Sequence, residues 1–249
     1  RKFKPNSPRV RRAHWRNDIW QKWSKWFRCW ELSALMSDLR ITEIFLSLQG
    51  EANTVGLPTV FVRLTGCPLR CQYCDSAYAF SGGTRMPLDD IVSQVLDLGV
   101  RHVTVTGGEP LAQPNAIELM QRLVDASFSV SVETSGALSV ESVPVEVVKV
   151  LDLKTPGSQE SHRNLWSNLA YLNPQDQIKF VLCSRADYDW ARMRCDEHGL
   201  YERVADVLFS PSHYELPPCD LADWIVADRL PVRMQMQMHK LLWGDVPGR

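Results

Sequence analysis

The chain has 249 residues, 45% of them hydrophobic, with 28 Lys and Arg against 29 Asp and Glu. This length accommodates one large domain or two small ones around a sizeable core, and the lack of any run of about 18 apolar residues excludes a membrane-spanning helix. Seven cysteines, an odd number with three crowded together, exclude a disulfide framework and fit a reducing, cytoplasmic setting with a metal site.

The near-neutral total hides an asymmetry. Residues 1–35 carry ten Lys and Arg against Asp18 and Glu31, a net +8, while the other 214 residues carry 18 against 27, a net −9. Residues 1–37 therefore read as an extension, and 38–249 as the domain proper. Five of the nine tryptophans fall in the extension, and Trp20, Trp23, Phe27 and Trp30 recur at helical spacing. That periodicity predicts an amphipathic helix over 19–35. A basic aromatic arm suits nucleic acid or a membrane surface. The weaker demand on the residues is a segment outside the domain, with the usual start near Met36, and this reading is preferred. No continuous apolar stretch of the secretory-signal kind opens the chain.

From there strands and helices alternate. Residues 40–47 and 59–65 are β-rich runs, separated by Gly50, Gly56 and Pro58. Residues 87–99 have helical periodicity, acids in the first turn and a closing Gly99. Strands follow at 102–108, 128–134, 146–154, 176–182, 204–210 and 231–237, with helices at 115–127 and around 187–199 and 219–229. The alternating methionines of "VRMQMQMHK" read as a half-buried strand rather than a metal site. Repeated β–α alternation predicts an α/β fold, a parallel sheet with covering helices. With about 210 residues, the expected form is an open, incomplete TIM-like barrel rather than a full eightfold one.

Cys67, Cys71 and Cys74 stand in "LTGCPLRCQYCDSAYAF". A structural zinc site wants four ligands, commonly two Cys-x-x-Cys or Cys/His pairs. Here Cys71 and Cys74 form one pair, Cys67 offers a third ligand, and nothing marks a fourth. An iron–sulfur cluster is the other option, since closely spaced thiolates hold such clusters. Three thiolates on a four-iron cluster leave one iron open, and an open metal position is a reactive one.

The Cys-x3-Cys-x2-Cys spacing, with an aromatic Tyr73 before the last cysteine and "VTGGEP" at 105–110, resembles the signature of the radical S-adenosylmethionine (SAM) enzymes. "SLQGE" (47–51), "FVRLTGCPLRCQYCD" (61–75), "VETSG" (132–136), "LDLKTPGS" (151–158), "DQIKFV" (176–181), "LFSPS" (208–212) and "MQMHKLLWGDVPGR" (236–249) extend the likeness to the 7-carboxy-7-deazaguanine synthases within that superfamily, over about residues 38–249. The resemblance implies the partial barrel of radical SAM enzymes. It implies that 6-carboxy-5,6,7,8-tetrahydropterin is converted to 7-carboxy-7-deazaguanine with loss of ammonia. A hydrogen taken by the 5′-deoxyadenosyl radical would later be returned, so SAM is regenerated. The chemistry belongs to the cofactors, with the protein supplying position and dryness.

Carried over by position, the resemblance assigns Cys67, Cys71 and Cys74 to a [4Fe–4S] cluster. Tyr73, Cys74, Asp75, Gly108, Glu109, Asp152, Leu153 and Lys154 would bind SAM. Much of the family reads Ser-Pro-Lys where this chain has Asp152-Leu153-Lys154. Lys154 keeps a partner for the methionyl carboxylate, and Asp152 can bind ribose hydroxyls. Leu48, Gln49, Gly50 and Glu51 match a substrate-contacting turn, and Thr106, Glu133, His239 and Arg249 join them. Arg63 would take the substrate carboxylate; it sits in an otherwise apolar strand, where an unpaired charge is costly. Without the resemblance, Gln49 and Glu51 read as a solvated turn, Glu133 as a structural carboxylate and His239 as a packing histidine. His14, His102, His162, His198 and His213 carry no such context.

The family holds the substrate carboxylate with Mg2+, through the Thr hydroxyl of Cys-Asp-Thr. Ser76 stands there in this chain. It keeps the oxygen a hard cation wants and loses the methyl that stiffens the rotamer. Implied partners are the pterin, an electron donor such as flavodoxin or ferredoxin, and a second copy in a homodimer, with no membrane and no direct nucleic acid. Two other readings stay open. A glycyl-radical-activating enzyme shares the cysteine spacing but has no use for "SLQGE" or Arg63. A metal-stabilised nucleic-acid-binding module would need a closed metal site and salt-dependent affinity, and the net −9 beyond the arm opposes it.

Overall fold

The structure, a computed structural model, describes residues 37–244, 246 and 248. The predicted helix over 19–35, the N-terminal extension and Arg249 lie outside the described residues. Among the described residues nine strands form one sheet. They are β1 (Asp38–Leu48), β2 (Pro58–Leu64), β3 (Thr84–Pro87), β4 (His102–Gly107), β5 (Ser129–Thr134), β6 (Val148–Asp152), β7 (Gln177–Leu182), β8 (Asp206–Pro211) and β9 (Arg233–Met234). Their spatial order is β3-β1-β2-β4-β5-β6-β7-β8-β9. The α-helices are α1 (Leu88–Leu98), α2 (Asn115–Asp125), α3 (Arg185–His198), α4 (Pro218–Asp228) and α5 (Met238–Trp243).

From β2 through β9 every neighbouring pair is parallel. The predicted open parallel sheet is thus correct for most of the fold but not for its edge. β1 runs antiparallel to β2, and β3 antiparallel to β1. The reason is loop length: residues 49–57 are too few for the crossover that parallel neighbours need. The short β3 gave no strand signal of its own. The links from β5 to β6 and from β6 to β7 carry no α-helix, and the second is built from 3-10 turns at Pro156–Ser158, Ser161–Arg163 and Trp166–Tyr171.

The helices form where apolar spacing and end signals agree. α1 buries Leu88, Ile91, Val92 and Val95, has Asp89 and Asp90 in its first turn, and stops at Gly99 in the left-handed region. α2 buries Ala116, Leu119, Met120 and Leu123. Val103, Val105, Val130, Val132, Ile178 and Phe180 are buried on the strands, each worth about 1.5–3 kcal/mol on burial. The residues alternating with them are polar. Successive side chains of a strand point to opposite faces, so Thr104, Thr106, Ser131, Glu133, Asp152, Gln177 and Lys179 share the other face.

That polar face is floored by the β1–β2 turn. Gln49 Nε2 donates to Thr104 Oγ1 at 3.0 Å, and Thr104 and Ser131 hydroxyls bond at 2.9 Å. The Asn53 amide donates to Gln177 Oε1 at 2.8 Å, and Gln235 Nε2 to the Ala52 carbonyl at 3.1 Å. This turn also changes the C-terminal reading. The strand predicted over 231–237 pairs with β8 only at Arg233 and Met234. The chain then leaves the edge, the Met238 amide bonds the Gly50 carbonyl at 3.1 Å, and α5 begins. Among the described residues, no helix is long and apolar enough to cross a membrane.

Candidate active site

A cavity of about 670 Å³ opens on this polar face. The C-terminal ends of the parallel strands line it, the usual position for function in β/α barrels.

One wall is the loop after β2 with its three cysteines, all half-buried. Its course depends on the glycines at the end of β4. A Cβ on Gly107 would lie 2.2 Å from the Leu64 carbonyl oxygen, and one on Gly108 2.3 Å from that of Gly66 and 2.9 Å from Cys67 Cβ. The Glu109 amide then donates to Gly66 O at 2.8 Å. The two glycines let β4 press against the cysteine loop, rather than only leaving room for a ligand.

Burial pushes the three thiols up, Cys71 to about 11, with the Lys154 ammonium acting against it. Lys154 Nζ pairs with Asp152 Oδ2 at 3.0 Å and lies 6.0 Å from the Tyr73 ring centre. Burial works against its charge, but Asp152 holds its pKa well above the ordinary lysine value. The Tyr73 hydroxyl and Asp152 Oδ1 are buried and, among the described residues, have no hydrogen-bond partner. Two orphaned polar atoms beside three thiols fit a polar cofactor docked there, because buried polar groups normally have partners. Among the described residues, no three His, Cys, Asp or Glu side chains converge on a point that a single metal ion could occupy.

Another part of the lining is charged. Arg63 Nε donates to Glu43 Oε1 at 2.7 Å, and the Tyr78 hydroxyl donates to the same oxygen at 2.7 Å. Arg63 and Thr106 are register partners on β2 and β4, and Thr106 Oγ1 donates to Glu133 Oε2 at 3.1 Å. Glu51 forms an ion pair with Lys179. Glu133 is raised above the ordinary carboxylate range, first by burial and then by the charge of Glu51, with Lys179 and Arg63 opposing.

Leu48, Gln49, Gly50, Glu51, Arg63, Tyr73, Asp75, Ser76, Gly108 and Lys154 all line the same cavity. Thr106, Glu133, Asp152 and His239 do so too. His239 packs on Gly50, where a Cβ would meet its Nδ1 at 2.7 Å, and burial lowers its pKa.

Two predicted cofactor residues stand elsewhere. Leu153 is buried behind the wall, its amide bonding Lys179 O at 2.9 Å. Glu109 is fully buried and accepts from the Leu111 amide, the Thr134 hydroxyl, and the amide and hydroxyl of Ser135. Its carboxylate clamps the end of β5 and does not line the cavity.

Asp75 faces the C-terminal segment. Its Oδ2 accepts from Gln237 Nε2 at 2.8 Å and lies 3.7 Å from Lys240 Nζ, and Ser76 Oγ donates to its Oδ1 at 2.9 Å. Burial favours the neutral acid, but these contacts win and hold it down to about 2. Sequence reading missed Glu43, Tyr78, Lys179, Gln237 and Lys240. A signal existed for Lys179, a lone charge in the apolar run "QIKFVL".

Comparison with known proteins agrees with this geometry. The Radical SAM superfamily profile matches residues 61–152. A 7-carboxy-7-deazaguanine synthase of Koribacter versatilis is 44% identical over 219 residues, covering 82% of this chain and 97% of that one. One of Chlorobaculum tepidum is 42% identical over 209 residues, covering 83% and 94%. The crystal structure of QueE from Escherichia coli superposes with a TM-score of 0.64 at 22% identity, covering 81% of this chain and 95% of that one, a likeness of fold. With this identity spread over nearly the whole length of the relatives, the chain belongs to the 7-carboxy-7-deazaguanine synthase family of radical SAM enzymes.

Proposed function

We propose that the protein converts 6-carboxy-5,6,7,8-tetrahydropterin to 7-carboxy-7-deazaguanine, with ammonia lost, in 7-deazapurine and queuosine biosynthesis. The observation that carries this reading is one cavity lined both by three cysteines and by Arg63, Glu51 and Glu133. Cys67, Cys71 and Cys74 would hold a [4Fe–4S] cluster, and Tyr73, Asp152 and Lys154 would hold SAM beside it. Together, cluster and SAM supply hydrogen-atom abstraction when bound.

The chain's own residues bind and orient. The carboxylates of Glu51 and Glu133 accept from the N–H groups of the pterin edge. Arg63 uses Nε on Glu43, which leaves its terminal nitrogens to take the substrate carboxylate as a fork. Ser76 would offer its hydroxyl oxygen to a Mg2+ ion, which would neutralise charge on the substrate carboxylate. The charged, small-molecule-sized wall favours a compact polar substrate over a protein glycyl site. A flavodoxin- or ferredoxin-type donor and a homodimeric state complete the proposal.

The test is anaerobic reconstitution with iron and sulfide, followed by dithionite, SAM and the carboxytetrahydropterin. Formation of 7-carboxy-7-deazaguanine with SAM regenerated is the expected result. No product, with SAM left intact, overturns the reading.

A further inference from the structure

We infer that Lys179 is the positioning residue of the substrate wall, its single ammonium keeping the carboxylates of Glu51 and Glu133 aimed into the cavity as acceptors. This rests on the substrate reading above.

Lys179 stands on the cavity face of β7, while its neighbours Ile178 and Phe180 are wholly buried on the other. It pairs with Glu51, and the side chains of both are only 11% exposed. On the next strand its register partner is Asp152. The ammonium therefore touches Glu51 from the β1–β2 turn and shares the cavity with Glu133 from β5 and Asp152 from β6, whose charges act on it. Asp152 already has Lys154. Glu51 and Glu133 share Lys179, with Arg63 acting on Glu133 from β2. From the C-terminal side His239 and Asp75 feel the same charge.

Two carboxylates in one desolvated wall repel, and without a cation one of them takes up a proton. A neutral acid would present a donor to a donor-bearing pterin edge. Lys179 opposes that at Glu133, and by its ion pair across from sheet to turn it also sets where Glu51 points.

A purely structural ion pair is the competing explanation, and the same fold contains one for comparison. Lys149 and Asp176 pair at 3.0 Å with 2% and 0% exposure, away from the cavity, and Asp176 also accepts from the Lys149 and Asn173 amides. Lys179 and Glu51, in contrast, both line the cavity.

The experiment uses the reconstituted full-length enzyme, whose wild-type product formation separates failure of the substrate reading from failure of this one. In Lys179→Met the KM for the pterin is expected to rise about tenfold or more. The acid limb of kcat/KM should move up by about one pH unit, because removing the cation that opposes the rise at Glu133 raises that carboxyl further. The change that SAM produces in the EPR spectrum of the reduced cluster should stay as in wild type. Lys179→Arg, which restores the charge, should return the limb to its wild-type place. If Lys179→Met does not fold, Lys179→Gln is read instead, with the same limb shift expected. A folded neutral variant with an unmoved acid limb, or an arginine variant that fails to restore it, overturns the assignment.

Discussion

Ser76 is the single-residue departure with the most direct chemical consequence. A serine in place of the family's threonine keeps the oxygen and loses the methyl that fixes its rotamer, and here the hydroxyl rests on Asp75 Oδ1 at 2.9 Å. Ser76→Ala is expected to lower turnover about tenfold or more, mainly by abolishing stimulation by Mg2+. Assaying both enzymes with and without the cation decides it, and equal stimulation would remove Ser76 from the metal site. At this scale the cysteines were legible because their spacing is local, all three within eight residues. Glu109 was legible as a motif member, but the partners of its carboxylate were not. Its partners Thr134 and Ser135 lie 25 and 26 positions on, and only folding places them around the carboxylate. Lys179 stands out as a lone charge in an apolar run, but its partner Glu51 is 128 positions away.

Elements were predictable where local signals agreed, as in α1 with its acidic start and Gly99 stop. They were misjudged where a long-range contact overrode the pattern. β9 ends after two residues because the chain turns to bond Gly50, which no alternation of methionines encodes. The junction of β6 and β7 depends on another such contact, the buried Lys149–Asp176 pair. Lys149→Met removes one partner and leaves Asp176 an uncompensated buried charge, so a loss of about 3–5 kcal/mol is expected. Chemical denaturation measures it. The double variant Lys149→Met with Asp176→Leu should be less destabilised than the single change, and a single variant as stable as wild type would show that the pair contributes nothing.

At the scale of the whole molecule, the +8 of residues 1–35 contrasts with the −9 of the rest. The Koribacter relative aligns with 82% of the chain, about the share that residues 38–249 make up. Deleting residues 1–36 is expected to leave product formation unchanged in the reconstituted assay, and a large loss would give the arm a catalytic part. The sequence by itself determined the α/β class, the cluster of three cysteines, the glycine pair after β4 and the polar residues on alternate strand positions, because each is written within a few neighbouring residues. Only the tertiary structure decided which polar face closes on which. It brought Glu51, Glu133, Asp152 and Lys179 from four elements around one charge, turned Asp75 toward Gln237 and Lys240, and withdrew Glu109 and Leu153 from the cavity. The physical reason is that these side chains are satisfied by partners far along the chain, and pairing of that kind exists only once the sheet has curled into a partial barrel.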